Sequence, residues 1–187
     1  MKIFMLHVSD LMREMKCACF CWNSAHNSIH QESFYKMDCP FSDLWKTYLN
    51  ATDCGLGHSM DSNEQSLKLL EENDVVCFAR FEYKECRTKI PYLKKLENGY
   101  MAVYPHLSAY PKENEAFIMK VNQIISAHCG VNVIENRIVY LNKEYVRKDT
   151  LDLNELLCIS DKLFNKRNHL SKTIAECMDE IDIDLDA

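Results

Sequence analysis

The 187-residue chain is 47% apolar and 27% charged, the balance of a soluble globular protein with enough length to bury one core. Its 28 acidic and 22 basic residues leave a net charge of −6, which argues against holding nucleic acid by an overall positive field. No apolar run approaches the ~18 residues of a membrane span, and "MKIFMLHVSDLMREMK" lacks a signal-peptide apolar core, so a cytoplasmic protein away from the membrane is expected.

In chain order, "SDLMREMKCACFCW" opens on Ser9, a reasonable helix cap, and continues with apolar residues at helical spacing. Residues 25–57 show no clear period, and "DCGLGH" marks a turn. "MDSNEQSLKLLEEN" predicts a second helix with Met60, Leu67 and Leu70 on one side. "DVVCFARFEYKECRTKIPYLKKLENGYMAVYPHL" reads as three consecutive strands turned at "KEC" and "ENG". Pro91 sits inside the middle one, where a missing N–H points to an edge strand or a bulge.

"KENEAFIMKVNQIISAHCG" is the clearest helix, with Phe117, Val121, Ile124 and Ile125 as its apolar stripe and Gly130 as its stop. "VNVIENRIVYLN" predicts a largely buried strand. "SDKLFNKRNHLSKTIAECMDEI" predicts a closing amphipathic helix. The run "ECMDEIDIDLDA" has six acids and no base, the pattern of a solvated acidic tail over 179–187 that could be disordered. Its Ile–Asp alternation could alternatively add an edge strand. One α/β domain over residues 1–187 is the expected organisation, with helices flanking a mixed sheet.

Ten cysteines without a secretory signal do not suggest a disulfide framework. Cys17, Cys19 and Cys21 in "CACFC", with Cys39 in "DCPF" and His26 or His30 as further donors, could offer ligands to zinc or an iron–sulfur cluster. No second C-x-x-C pair completes a familiar site, so helical faces carrying free thiols are the favoured reading.

The element order and several segments resemble the PD-(D/E)XK nuclease superfamily, and within it the RecB-like exonuclease domains related to CRISPR adaptation nucleases. The segment "VIENRIVYLNKEYVRKDTLDLNELL" carries the resemblance most strongly: Leu141, Asn142, Tyr145, Val146 and Arg147 match, and Asp149 stands where glycine is usual. The three-strand stretch and the opening helix match the same family, over residues 7 to about 165. The resemblance implies a restriction-endonuclease-like core in the order α-βββ-α-β. It also implies Mg²⁺ or Mn²⁺ held by an aspartate of the second strand and the glutamate of a Glu-x-Lys on the third.

Here those positions hold Pro91, Tyr104 and His106. Proline and a neutral phenol cannot replace the anionic oxygens that Mg²⁺ requires, although a protonated His106 could still touch a phosphate or a softer metal. The resemblance further implies that His58 matches the family's additional metal-ligating histidine and that Gln123 matches the glutamine that orients the site. For each there is a plainer reading, as a turn residue and an exposed helix position. Cys158 and Cys177 alone follow the core, so no complete iron–sulfur site is expected.

The leading expectation is therefore a catalytically inactive nuclease-fold domain that binds nucleic acid or a protein, with no cofactor. Arg87, Lys89, Lys94 and Arg147, with Arg80 and Lys95 nearby, are its candidate phosphate contacts. One alternative is an active Mg²⁺- or Mn²⁺-dependent DNA exonuclease with relocated carboxylates, drawn from Glu82, Glu85, Glu97, Glu113 and Glu115. The other is a cysteine-rich metal-binding module.

Overall fold

The computed structural model describes residues 6–7, 42–53 and 62–185. Its elements are β1 (Leu6–His7), α1 (Ser42–Leu49), β2 (Thr52–Asp53), α2 (Ser62–Glu72), β3 (Val75–Tyr83), β4 (Cys86–Leu96), β5 (Gly99–His106) and α3 (Glu115–His128). There follow β6 (Val133–Leu141), α4 (Leu153–Leu156), β7 (Leu157–Ser160), β8 (Lys162–Phe164), β9 (Ser171–Thr173) and α5 (Ile174–Asp179). Among the described residues no helix is long and apolar enough to cross a membrane.

The main sheet runs β2-β3-β4-β5-β6-β7, and β1 lies parallel to the start of β4. The meander β3–β4–β5 is antiparallel, as the two short turns dictate. β6 returns parallel to β5 because the 14-residue α3 carries the chain back between them. The result is an α/β sheet covered on both faces. Val76, Phe81, Ile90, Leu93, Ala102 and Val133 pack with α2, α3 and α5 on one side. Cys77, Tyr92, Val103 and Val139 pack against Trp45, Tyr48 and Leu49 of α1 on the other.

The outer edge of β3 is closed in an unusual way. β2 pairs only with Val76 and Cys77, which leaves the backbone at Arg80 and Glu82 exposed to unwanted pairing. Two side chains one turn apart on α2 take those groups instead. Ser66 Oγ receives the Arg80 N–H and donates to its carbonyl, both at 2.9 Å. Asn63 receives the Glu82 N–H at 2.8 Å and donates to its carbonyl at 3.0 Å. A polar helix stripe thus acts as a stand-in strand.

Four expectations change. α1 was not anticipated, although "SDLWKTYL" carries Asp43 in its first turn and Trp45, Tyr48 and Leu49 at helical spacing. The stripe of α3 is rotated: Ala116, Met119, Val121, Asn122, Ile125 and Ser126 are buried, while Phe117 and Ile124 are only half-buried.

The closing helix shrinks to α5. Asn165 accepts from the N–H groups of Arg167 and Asn168, and its own N–H reaches Leu170, so a β8–β9 hairpin replaces the first half. Thr173 and Glu176 form a reciprocal cap that starts α5 afresh. The acidic tail forms no strand, yet Ile181, Ile183 and Leu185 pack on the core while Asp182 and Asp184 face outward. Lys84 Nζ donates to the Leu185 carbonyl at 3.1 Å.

Candidate functional site

Pro91 lies in an interior strand, not at an edge. β5 pairs with β4 from Tyr92 onward and β1 pairs with Cys86 and Arg87, so neither reaches Pro91. On the other side the ladder skips it: Cys77 pairs with Tyr92 and Ala79 with Ile90, in an unbroken register. Phe78, the residue opposite, adopts φ 60°, a conformation costly for a bulky side chain. Cys77 and Phe78 therefore both face α1, and the strand resumes its alternation at Ala79. A proline is tolerated here because its opposite number has left the ladder.

β5 then brings Tyr104 and His106, two residues apart and so on one face, to the wall that carries Pro91. Pro91, Tyr104, Pro105 and His106 line a cavity of about 220 Å³ with Glu115, Ile118 and Met119 of α3 and Ile138 of β6. The three positions that the resemblance singles out do share one corner.

Its chemistry is that of a packed interior. Tyr104 is 9% exposed, and burial pushes its phenol well above the usual range, so it is neutral at any physiological pH. Asn122 donates its Nδ2 to the Tyr104 oxygen at 3.2 Å and accepts the Thr88 hydroxyl on its Oδ1. Thr88 and Asn122 are 2% and 1% exposed, which makes this a dry three-residue chain linking β4, α3 and β5.

His106 is held differently. Its Nε2 lies 2.9 Å from Glu115 Oε1, and the Ser108 N–H donates to its Nδ1 at 3.1 Å. An N–H can only donate, so the neutral ring carries its proton on Nε2, facing Glu115. The Glu115 hydrogen bond raises the His106 pKa. Burial and the charge of Lys112 oppose this, while the Ser108 carbonyl, 3.2 Å from Nδ1 and able to accept from the protonated ring, helps. A histidine raised above its free value of 6.5 stabilises the fold below that pH, and the contribution fades as pH climbs through the raised value. Glu115→Gln is accordingly expected to lower the His106 titration midpoint seen by NMR and to flatten the decline in Tm as pH rises above 6.5. An unchanged midpoint would contradict the pairing.

Glu115 Oε2 is buried without a hydrogen-bond partner. Glu115 is thus the one carboxylate of those weighed for a relocated site that reaches His106. Glu82 pairs instead with Arg87 at 3.4 Å, Glu85 and Glu97 are exposed in turns, and Glu113 lines a different cavity beside Lys112. Among the described residues no three His, Cys, Asp or Glu side chains gather as a metal site.

Gln123 does not join the corner. Its Nε2 donates to the Val133 carbonyl at 2.7 Å, and it lines another cleft with Lys120, Asn136 and Arg137. One residue is about 100° of helix, and that rotation gives the site-facing role to Asn122. A polar residue on an otherwise apolar helical face was the signal for it.

The candidate phosphate contacts are dispersed. Arg87 is paired with Glu82. Lys89 sits across from Arg80 with its ammonium 5.2 Å from the Phe78 ring, and burial, then Arg80, lowers its pKa. Lys94 and Lys95 are exposed further along β4, and Arg147 is exposed in the irregular segment after β6. Cys17, Cys19, Cys21, Cys39, His26, His30 and His58 lie outside the described residues. No family model, curated protein sequence or solved structure matches the chain.

Proposed function

We propose that the chain is a PD-(D/E)XK-like domain, similar to the RecB-like nuclease domains, that acts by binding and has given up cleavage. The order α2, β3–β4–β5, α3, β6 agrees with the expected α-βββ-α-β core. The meeting of Pro91, Tyr104 and His106 in one cavity supports the alignment of those three positions with the catalytic ones. The observation that carries the reading is Tyr104. Where a metal-binding carboxylate would stand there is a neutral, desolvated phenol tied to Asn122. Such a group offers no anionic oxygen, and the apolar wall beside it would not hydrate a hard cation.

The Glu115–His106 pair keeps one alternative in view, a rebuilt metal site that draws further ligands from elsewhere in the chain. One experiment separates the two. Linear single- and double-stranded DNA is incubated with the protein in Mg²⁺ and then Mn²⁺, alongside a His58→Ala, His106→Ala double variant. No metal-dependent cleavage is expected from either protein. Cleavage by the wild type that the double variant lacks would overturn the proposal in favour of a rebuilt site.

A further inference from the structure

A basic and aromatic surface lies on the hairpin side of the molecule, formed by residues that neither the corner nor the β4 cations include. Tyr110, half-exposed at 51%, meets Phe164 with ring centroids 5.7 Å apart, and Phe164 meets His169 at 6.1 Å. The rings are tilted at 51° and 58°, so each keeps part of a face unstacked. Lys143 Nζ stands 5.7 Å from the Tyr110 ring. Lys112, Lys166 and Arg167, all exposed, line one cavity with Phe164.

The backbone holds these groups in place. The Phe164 N–H donates to the Pro111 carbonyl at 2.7 Å, which joins the two loops. Asn165, 6% exposed, ties the turn that presents Lys166 and Arg167.

Positive charge and exposed rings meet on this surface. Lys46, Arg87, Arg137, Lys148 and Lys172 are each matched by an acid. Among the described residues Lys112, Lys143, Lys166 and Arg167 are in no such pair, nor are Lys94, Lys95 and Arg147 elsewhere, and Glu113 lines the same cavity. In a chain of net charge −6, four cations outside any ion pair thus stand around the Tyr110, Phe164 and His169 rings. An acidic peptide would use the charge and leave the rings idle. A flexible strand with phosphates and planar bases uses both.

We infer that this surface binds single-stranded nucleic acid, with the four cations on phosphates and the faces of Tyr110 and His169 under bases. The inference does not depend on the nuclease resemblance, and its test reads binding where the earlier one reads cleavage.

Fluorescence anisotropy of a labelled oligodeoxythymidylate of about 16 nucleotides, titrated over a series of salt concentrations, tests it. Single-strand binding loses ~0.7 of a power of salt per phosphate neutralised, so four contacts give a slope near 3. The Lys112→Gln, Lys166→Gln, Arg167→Gln variant should lower that slope by about 2. Tyr110→Ala should weaken binding roughly ten-fold with the slope unchanged.

Lys68→Gln, exposed on α2, serves as the control and should change neither. Circular dichroism confirms that each variant is folded; all these side chains are exposed. Absence of binding at low salt, or binding that the surface variants leave intact, would overturn the inference. Polyglutamate binding as tightly, with Tyr110→Ala indifferent to both, would overturn it in favour of an acidic protein partner.

Discussion

Asn122→Ala is expected to lower the unfolding free energy by about 3 kcal/mol, since it leaves two buried groups without partners and a small void beside them. The orphaned groups are the Thr88 hydroxyl and the Tyr104 phenol, in a part of the sheet that excludes solvent. Each such loss costs ~1–3 kcal/mol, and neither phenol nor hydroxyl can turn to water from this position. Tyr104→Phe should cost about 1–2 kcal/mol, because only the Asn122 amide loses a partner. The double variant should then cost less than the sum of the two, the mark of residues that act through one another. Urea unfolding of the three proteins gives all the terms. A change for Asn122→Ala within the ~0.5 kcal/mol typical of surface sites would show that the chain does not hold the corner together.

Gly99→Ala should be about as damaging, on the order of 3 kcal/mol, for a steric reason. A Cβ at Gly99 would lie 2.7 Å from the Asn132 carbonyl oxygen and 3.0 Å from Ile134 Cγ2. The carbonyl cannot withdraw, because it accepts the Tyr100 N–H at 2.9 Å where β6 joins β5. The register between the two strands shifts at Tyr100 and Met101, so the backbone is already bent there. The backbone at Gly99, with φ 157°, adds to the cost for any other residue. Thermal unfolding of Gly99→Ala against Gly130→Ala makes the comparison sharp. Gly130 has φ 84° but open space around its missing Cβ, so it reports conformational strain alone. Equal losses from both would refute the steric account.

These two positions support β5 on its way to the candidate site. Gly99 sets where β6 begins its run along β5, and Asn122 fixes α3 above Tyr104. Beyond both, at the end of β5, the His106–Glu115 pair closes the cavity at the first turn of α3, where a carboxylate is also favoured by the helix dipole. The corner thus has reasons for its residues that involve no reaction. The proposed role is therefore binding, and the proposed ligand surface lies on the hairpin side.

Local pattern determined a good deal of this protein. The three strands β3–β5, their turns, α2 and α3 follow from alternation, helical period and the glycine at 130, because these signals act over a few residues. The grouping of Pro91, Tyr104 and His106 came from the family resemblance, and the meander brings the three to one cavity. Tertiary structure alone decided the rest. Which face of α3 meets the sheet depends on packing across the chain, and a turn of one residue exchanges Gln123 for Asn122. Asn63 and Ser66 read as solvated helix positions until an unpaired strand edge needs their hydrogen bonds. The β8–β9 hairpin beat a helical period because Asn165 is buried and spends its side chain on the turn. Lys112, Lys143, Lys166 and Arg167 come from three separate segments, and no spacing along the chain announces that they meet around one pair of rings.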